Sequence, residues 1–374
     1  MTSPTFVKPS RITAQKTTLC LIICALALSV SASASSIIKF NAPGAGTGFG
    51  QGTIPLAINS GSVVAGYYID TNGAYHGFAR SATGTISTID APGAGTASGQ
   101  GTFAYSINKT NVIAGYYIDA SSVFHGFVRA ANGTFSTFAA PGAVNTIAAN
   151  INDGGTVSGY YVDASGSYHG FVRATSGTIT SFDAPGAGTG SGQGTLVGGV
   201  DCINTAGAIT GNYLDSNSVY HGYVRAADGT FTSFDASGAG TGSGQGTETS
   251  GINDTGTITG EYIDSNGADH GFVRAAGGTI TEFNAPGAGT GSGQGTLPEN
   301  INASGATVGQ YIDANGVNHG FQRSPTGGIA TGNVPGAGTG SGQGTIPNSN
   351  SRTNKIDGEY IDASGVIHGF LFTP

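Results

Sequence analysis

The tripeptide His-Gly-Phe, once His-Gly-Tyr, recurs seven times and contains every histidine of this 374-residue chain. His76, His125, His169, His221, His270, His319 and His368 are separated by 49, 44, 52, 49, 49 and 49 residues. A period near fifty is the mark of a radial or stacked repeat architecture, in which each unit buries its apolar face only against its neighbours. The repetition also bears on chemistry. An enzyme needs one active site, whereas seven equivalent copies of a residue are what a structural contact needs.

One repeat reads as four strands. Leu56 to Asn59 is a short apolar stretch closed by Ser60-Gly61. Ser62 to Asp70 alternates and is rich in Val, Tyr and Ile, as strands are. Asn72-Gly73 is a strong hairpin signal, Ala74 to Arg80 returns, and Thr85 to Asp90 follows a Thr83-Gly84 turn. Helical periodicity is absent from residue 35 onward. The fold class expected is all-β: a seven-bladed antiparallel β-propeller with four strands per blade.

With Asn72-Gly73 as a two-residue tip, Ile69 would face His76 and Tyr68 would face Gly77. Tyr68 would then fold over that glycine, and Asp70 and His76 would lie on opposite faces of the hairpin. Tyr recurs at this place (Tyr68, Tyr117, Tyr161, Tyr213, Tyr262, Tyr311, Tyr360). So does Asp (Asp70, Asp119, Asp163, Asp215, Asp264, Asp313, Asp362). In this register the Asp of one blade is expected to meet the His or Arg of the next. The arginines are Arg80, Arg129, Arg173, Arg225, Arg274 and Arg323, and the seventh repeat has Phe372 instead.

The last repeat ends after its third strand, while Ile37-Ile38-Lys39-Phe40-Asn41-Ala42-Pro43 aligns with the fourth-strand segment Ile86 to Pro92. An orphan strand at one end and a three-strand repeat at the other make one blade shared between the termini. An open solenoid would need polar caps, and none is present.

The run Ile252-Asn253-x-x-Gly256-x-Ile258-x-Gly260, followed by His270-Gly271-Phe272, resembles the bacterial extracellular repeats known as the HAF family, whose usual tripeptide is His-Ala-Phe. The Asn is present in six repeats (Asn59, Asn108, Asn152, Asn204, Asn253, Asn302), with Ser351 in the seventh. The resemblance covers nearly all of the chain after residue 34. It implies an exported repeat protein of bacterial type and carries no agreed activity.

Residues 1–34 read as a secretory signal: basic Lys8, Arg11 and Lys16, an apolar Leu21 to Val30, and an Ala32-Ser33-Ala34 cleavage site. Residues 35–374 form the single expected domain, secreted, extracellular or periplasmic, with no membrane span. Without the signal the chain carries 10 basic and 21 acidic residues, a net charge of −11. That balance argues against nucleic acid, which needs a basic face. Only Cys202 follows the signal, so no internal disulfide can form.

Candidate sites divide into repeated and unique ones. The seven histidines and seven aspartates are assigned a structural role. No metal site and no cofactor is expected: Asp264-Ser265-Asn266-Gly267 opens like a calcium loop but lacks its later acidic ligand. Zinc-protease and nucleophile-elbow motifs are absent. The glycine-rich Gly-Ala-Gly-Thr-Gly-Ser-Gly-Gln-Gly-Thr segments lack the following helix and Lys of a phosphate loop. Their glutamines Gln51, Gln100, Gln193, Gln245, Gln294 and Gln343 offer paired donors and acceptors suited to sugar hydroxyls.

The repeats differ most at the first strands, where Asp201, Cys202, Glu248 and Glu299 replace apolar residues. They differ also at the second strands, where Tyr67, Tyr116 and Tyr160 give way to Asn212, Glu261, Gln310 and Glu359. Asp201, Glu248 and Glu299 are the acidic ligand-binding candidates, at a channel mouth. The function expected is a monomeric binding or interaction module for polysaccharide or a cell-surface partner, without a catalytic set. The alternative is a carbohydrate-active hydrolase or lyase using those acids. Binding is expected on the face of the glycine-glutamine loops.

Overall fold

The computed structural model describes residues 35–374, so the signal sequence expected over 1–34 lies outside the described residues. These contain 28 strands and no helix, hence none long and apolar enough to cross a membrane. In the first repeat the strands are Gly52–Ile58, Val64–Ile69, Tyr75–Arg80 and Ile86–Ile89, each antiparallel to the next. The same order repeats along the chain. A single parallel bridge links the third strand to the next repeat's first at six of the seven junctions, as Tyr75 to Gly101; at the seventh, Phe124 N donates to Asn145 Oδ1 instead. The ends join as the sequence implies. Strand Ser36–Phe40 lies antiparallel to Ile367–Thr373, with Ile37 opposite Phe372, and Gly52 bridges Ile367.

The hairpin register differs by one residue from the expected one. Ile69 faces Tyr75, Tyr68 faces His76, and Tyr67 faces Gly77. The cause is Asp70, whose Oδ1 accepts from the amides of Asn72 (2.8 Å) and Ala74 (2.9 Å). This side-chain turn favours a three-residue loop with Gly73 at φ 82° over the two-residue one. Where Gly is missing, Ser122 and Ser218 adopt the left-handed conformation instead.

Two expectations fall with that register. Tyr68 stacks on His76, with ring centroids 4.9 Å apart, and does not cover the glycine. Where the fourth strand carries Phe, that ring covers the glycine: a Cβ on Gly126 would sit 2.7 Å from the Phe138 ring. Asp and His of one hairpin share a face and meet, as His125 Nε2 and Asp119 Oδ2 do at 3.0 Å, so the pairing between neighbouring repeats does not occur. Five of the arginines reach the neighbouring repeat's aromatic ring instead, while Arg129 lies over Phe135 of its own repeat at 6.0 Å. Arg80 lies over Phe40 at 4.9 Å and Arg274 over Phe234 at 4.6 Å.

Neighbouring repeats are held by burial and two repeated hydrogen bonds. Phe78, Phe127, Phe171, Tyr223 and Phe272 are wholly buried in separate clusters between repeats, each contributing roughly 1.5–3 kcal/mol. The buried Thr after each glycine-rich loop accepts the amide that precedes the loop, as Ala42 N to Thr53 Oγ1 at 2.9 Å. The signature asparagines supply the second bond. Asn59 Oδ1 accepts from Gly61 and Val63 of its own turn, and its Nδ2 donates to Asn108 O at 3.0 Å. Each Asn does the same to the next repeat, and Asn302 reaches Ser351 O. Ser351 cannot continue the relay, and Lys355 Nζ to Ser62 Oγ at 2.8 Å joins the seventh repeat to the first.

A tyrosine and carboxyl channel closed by a plug

The first strands surround an axis, and most carry a bulge. The ladder skips Leu56, Tyr105, Ser250, Glu299 and Asn348. A bulged residue leaves the pleat and is re-aimed. Here Tyr105 of the second repeat comes close to Glu299 of the sixth across the axis.

The axis has two unlike walls. On one, Tyr67, Phe103 and Tyr116 form a run with centroid separations of 4.8 and 4.6 Å, and Tyr105 joins it at 6.2 Å from Tyr116. On the other, Glu248 and Glu261 face each other across one ladder, with Glu299 and Glu359 nearby. Ser250 Oγ donates to Glu261 Oε2 at 3.2 Å, and Asn348 Nδ2 donates to Glu359 Oε2 and to Pro55 O. Just before the His-Gly pair, Tyr75, Phe124, Tyr168 and Tyr220 likewise give way to Asp269 and Asn318.

These carboxyls are half-buried: solvent reaches them along the axis while protein surrounds them on every side. Burial raises their pKa values. Glu248 and Glu299 are pushed up to about 7 and Glu359 to about 8. Glu261 is raised well above the usual range by burial and then by Glu248 and Glu299. Asp269 rises to about 6, chiefly by burial. Below neutrality the wall is therefore largely uncharged, able to donate as well as accept hydrogen bonds.

Asp201 and Cys202 belong to a different device. The fourth repeat has three more residues here than its neighbours, which accounts for the 52-residue spacing. Its first strand stops at Leu196, and Val197 to Asp201 cross the axis. Val200 packs in the cluster of Ala57, Ala104 and Ile107. Asn300 Nδ2 donates to Val200 O and Asp201 Oδ2, both at 3.2 Å, and Ile252 N donates to Asp201 O. Cys202 is buried, its amide held by Asn150 Oδ1 at 2.9 Å. The crossing plugs the channel.

Beyond the plug lies a cavity of about 120 Å³ lined by the asparagine relay, on the face of the short turns. Arg352 spans its mouth to Asp254 (2.8 Å) and Asp153 (3.4 Å). Of the acidic candidates, Glu248 and Glu299 thus share the open side of the channel while Asp201 sits in the plug. That plug and the relay were absent from the sequence reading, although the odd spacing and the Asn signature were their signals.

The glutamines lie in the loops of the opposite face. Gln51 Oε1 accepts from Gly48 N at 3.0 Å and Nε2 donates to Thr71 O at 3.2 Å. Gln100, Gln193, Gln294 and Gln343 bind equivalently, and Gln245 accepts from Gly242 N. A Cβ on Gly46 would lie within bonding distance of Gln51, so the glycines exist to admit the amide. Every His but His125, which has Ala139 at that place, also bonds the residue just after its fourth strand, as His169 Nδ1 to Asp183 at 2.9 Å and His270 Nδ1 to Asn284 at 2.9 Å. Among the described residues no three His, Cys, Asp or Glu side chains are grouped to hold a metal ion.

No protein-family model matches the chain, and no curated protein matches it in sequence. Solved structures do. Virginiamycin B lyase from Staphylococcus aureus superposes with a TM-score of 0.57 at 13% identity, covering 91% of this chain and 100% of that one. A streptogramin B lyase gives 0.57 at 12% identity, covering 91% and 98%. A lectin from Burkholderia pseudomallei gives 0.48 at 11% identity, covering 71% and 79%. At these identities the two lyases speak for fold alone: the chain has a propeller-type, all-β fold.

Proposed function

We propose that this chain is an exported seven-bladed β-propeller of HAF-type repeats, four strands to a blade, that binds a neutral polyhydroxylated ligand such as a polysaccharide. In this reading the protein is a monomer, and its ligand enters from the face of the glycine-glutamine loops. The observation that carries it is the two-walled channel. Tyrosine faces stack on the apolar faces of sugar rings, while protonated carboxyls give and take hydrogen bonds with hydroxyls. The plug supports entry from one side. The glycine-glutamine loops form the rim, where Gln245 and Gln294 act by holding the loop backbone in place.

A second reading, a carbohydrate-active hydrolase or lyase, is favoured by one observation. Glu248 and Glu299 are pushed to about 7, where a carboxyl serves as general acid or base near neutral pH. A glycan array run beside a polysaccharide turnover screen separates the two. Binding without turnover, weakened at least tenfold by Tyr105→Ala, supports the module. Turnover abolished by Glu299→Gln supports the enzyme. Silence in both assays, from pH 5 to 8, removes both.

A further inference from the structure

At most seams a fourth-strand phenylalanine inserts between repeats. Phe40, Phe138, Phe182, Phe234 and Phe283 meet Phe78, Phe171, Tyr223, Phe272 and Phe321 edge to face, with centroids 5.9–6.5 Å apart. The next repeat's arginine covers each inserted ring at 4.6–4.9 Å. Between the sixth and seventh repeats both partners are replaced. Gly332 stands where the phenylalanine would be, and Phe372 where the arginine would be. A cavity of about 270 Å³ remains, lined by Phe321, Val334, Pro347, Ile356, Phe370 and Phe372.

We infer that this seam binds the aryl group of a small apolar ligand, which takes the place of the missing phenylalanine ring. The occupant's shape follows from the sister seams, where a phenyl ring lies over the His-Gly-Phe glycine and against the following aromatic. In the sixth repeat that glycine, Gly320, lies opposite Gly332 and is bare of any ring. Size permits it: an apolar hole of about 150 Å³ stays dry and accepts benzene. Replacing the arginine by Phe372 removes the only cation at the position, so the lining selects an uncharged ligand. The site is separate from the axial channel, and its fate is independent of the channel's role.

The test uses fluorobenzene, followed by fluorine NMR against the whole protein. The expected result is a saturable change in shift or linewidth, with a melting temperature that rises with probe concentration. Gly332→Phe should refill the seam and weaken binding at least tenfold. A Cβ at Gly332 meets nothing within 4 Å, so the substitution starts without a clash. Should that variant not fold, Gly332→Leu fills the same space with a smaller apolar side chain and should equally weaken binding. Absence of saturable binding in the unmodified protein at millimolar probe overturns the inference. So does unchanged affinity in a folded variant, or a protein dimer in sedimentation that Gly332→Phe dissociates, since the occupant would then be a second copy.

Discussion

Stability should fall as pH rises from about 5 to 8, and Glu299→Gln should remove a defined part of that fall. In the folded chain Glu299 holds its proton to about 7, whereas unfolded it releases it near 4.5. Between those values the folded state binds more protons than the unfolded one, so each step up in pH favours unfolding. The stability present at low pH is lost progressively between about 4.5 and 7 and stays lost above. A separation of this size corresponds to about 3 kcal/mol for one carboxyl. Glu248, Glu261 and Glu359 act in the same direction, but they repel one another, so their contributions do not add.

Asp357 joins them. It is wholly buried between strands, with both carboxyl oxygens unpartnered, and burial raises it well above the usual range. The turn aspartates oppose this group: Asp70, Asp215, Asp264 and Asp362 are held below the usual range by hydrogen bonds from their own turns. Their contribution is present above about 4 and fades as pH falls through their folded values. The two sets place the optimum near pH 5, below the usual neutral range. Urea unfolding at pH 5 and pH 8 measures the effect. The unmodified protein should lose several kcal/mol between them, and Glu299→Gln about 3 kcal/mol less. Equal losses in the two proteins would mean that water solvates Glu299 fully, and its burial in the channel wall would be wrong.

Asn253→Ala should destabilise by about 2–4 kcal/mol, since it removes the bonds that hold Thr255 and Thr257 in the turn together with the buried bond to Asn302 O of the next repeat; a change under about 0.5 kcal/mol in urea unfolding would deny the relay its role. Gly170→Ala should cost more than about 3 kcal/mol, because the new Cβ would run into the Phe182 ring. Gly332→Ala, with open space around its Cβ, should cost under about 1 kcal/mol and serves as the control.

Much of the fold could be read from sequence because its causes are local and repeated. Val, Ile and Tyr alternation marks the strands, and Ile37 to Pro43 declares its partner by resembling Ile86 to Pro92. The register could not be read, because Asn72-Gly73 is compatible with two loop lengths and the side chain of Asp70 decides between them. The asparagine relay was hidden for a related reason. Asn59 looks like a turn residue, and it is one, but its second bond joins atoms 49 positions apart. For the channel, the sequence showed which residues break the repeat. It could not show that bulges at Tyr105 and Glu299 bring them together, or that three extra residues before Cys202 would bridge the axis. The glutamines illustrate the opposite limit: a side chain rich in donors and acceptors looks free until the backbone amide it serves, such as Gly48 N, is located.

The devices that hold the repeats together all lie outside the tyrosine and carboxyl walls: the threonine and asparagine bonds between repeats, the arginine-covered rings and the glutamine-braced loops. Because each recurs around the closed sheet, losing one leaves the others in place. The arginine is missing in the seventh repeat, the phenylalanine in the first and sixth and the asparagine in the seventh, and the sheet still closes through Ser36–Phe40. Residues of the two walls carry none of these bonds and are free to differ. They do differ, as tyrosines on one side and carboxyls on the other, at the cost of several raised pKa values that lower stability at neutral pH. A chain under no demand but closure would have kept Ile or Leu at Glu248 and Leu at Glu299. The argument for a ligand in the channel rests on that cost, and a substitution such as Glu299→Gln, which relieves it, is the place where stability and binding should part company.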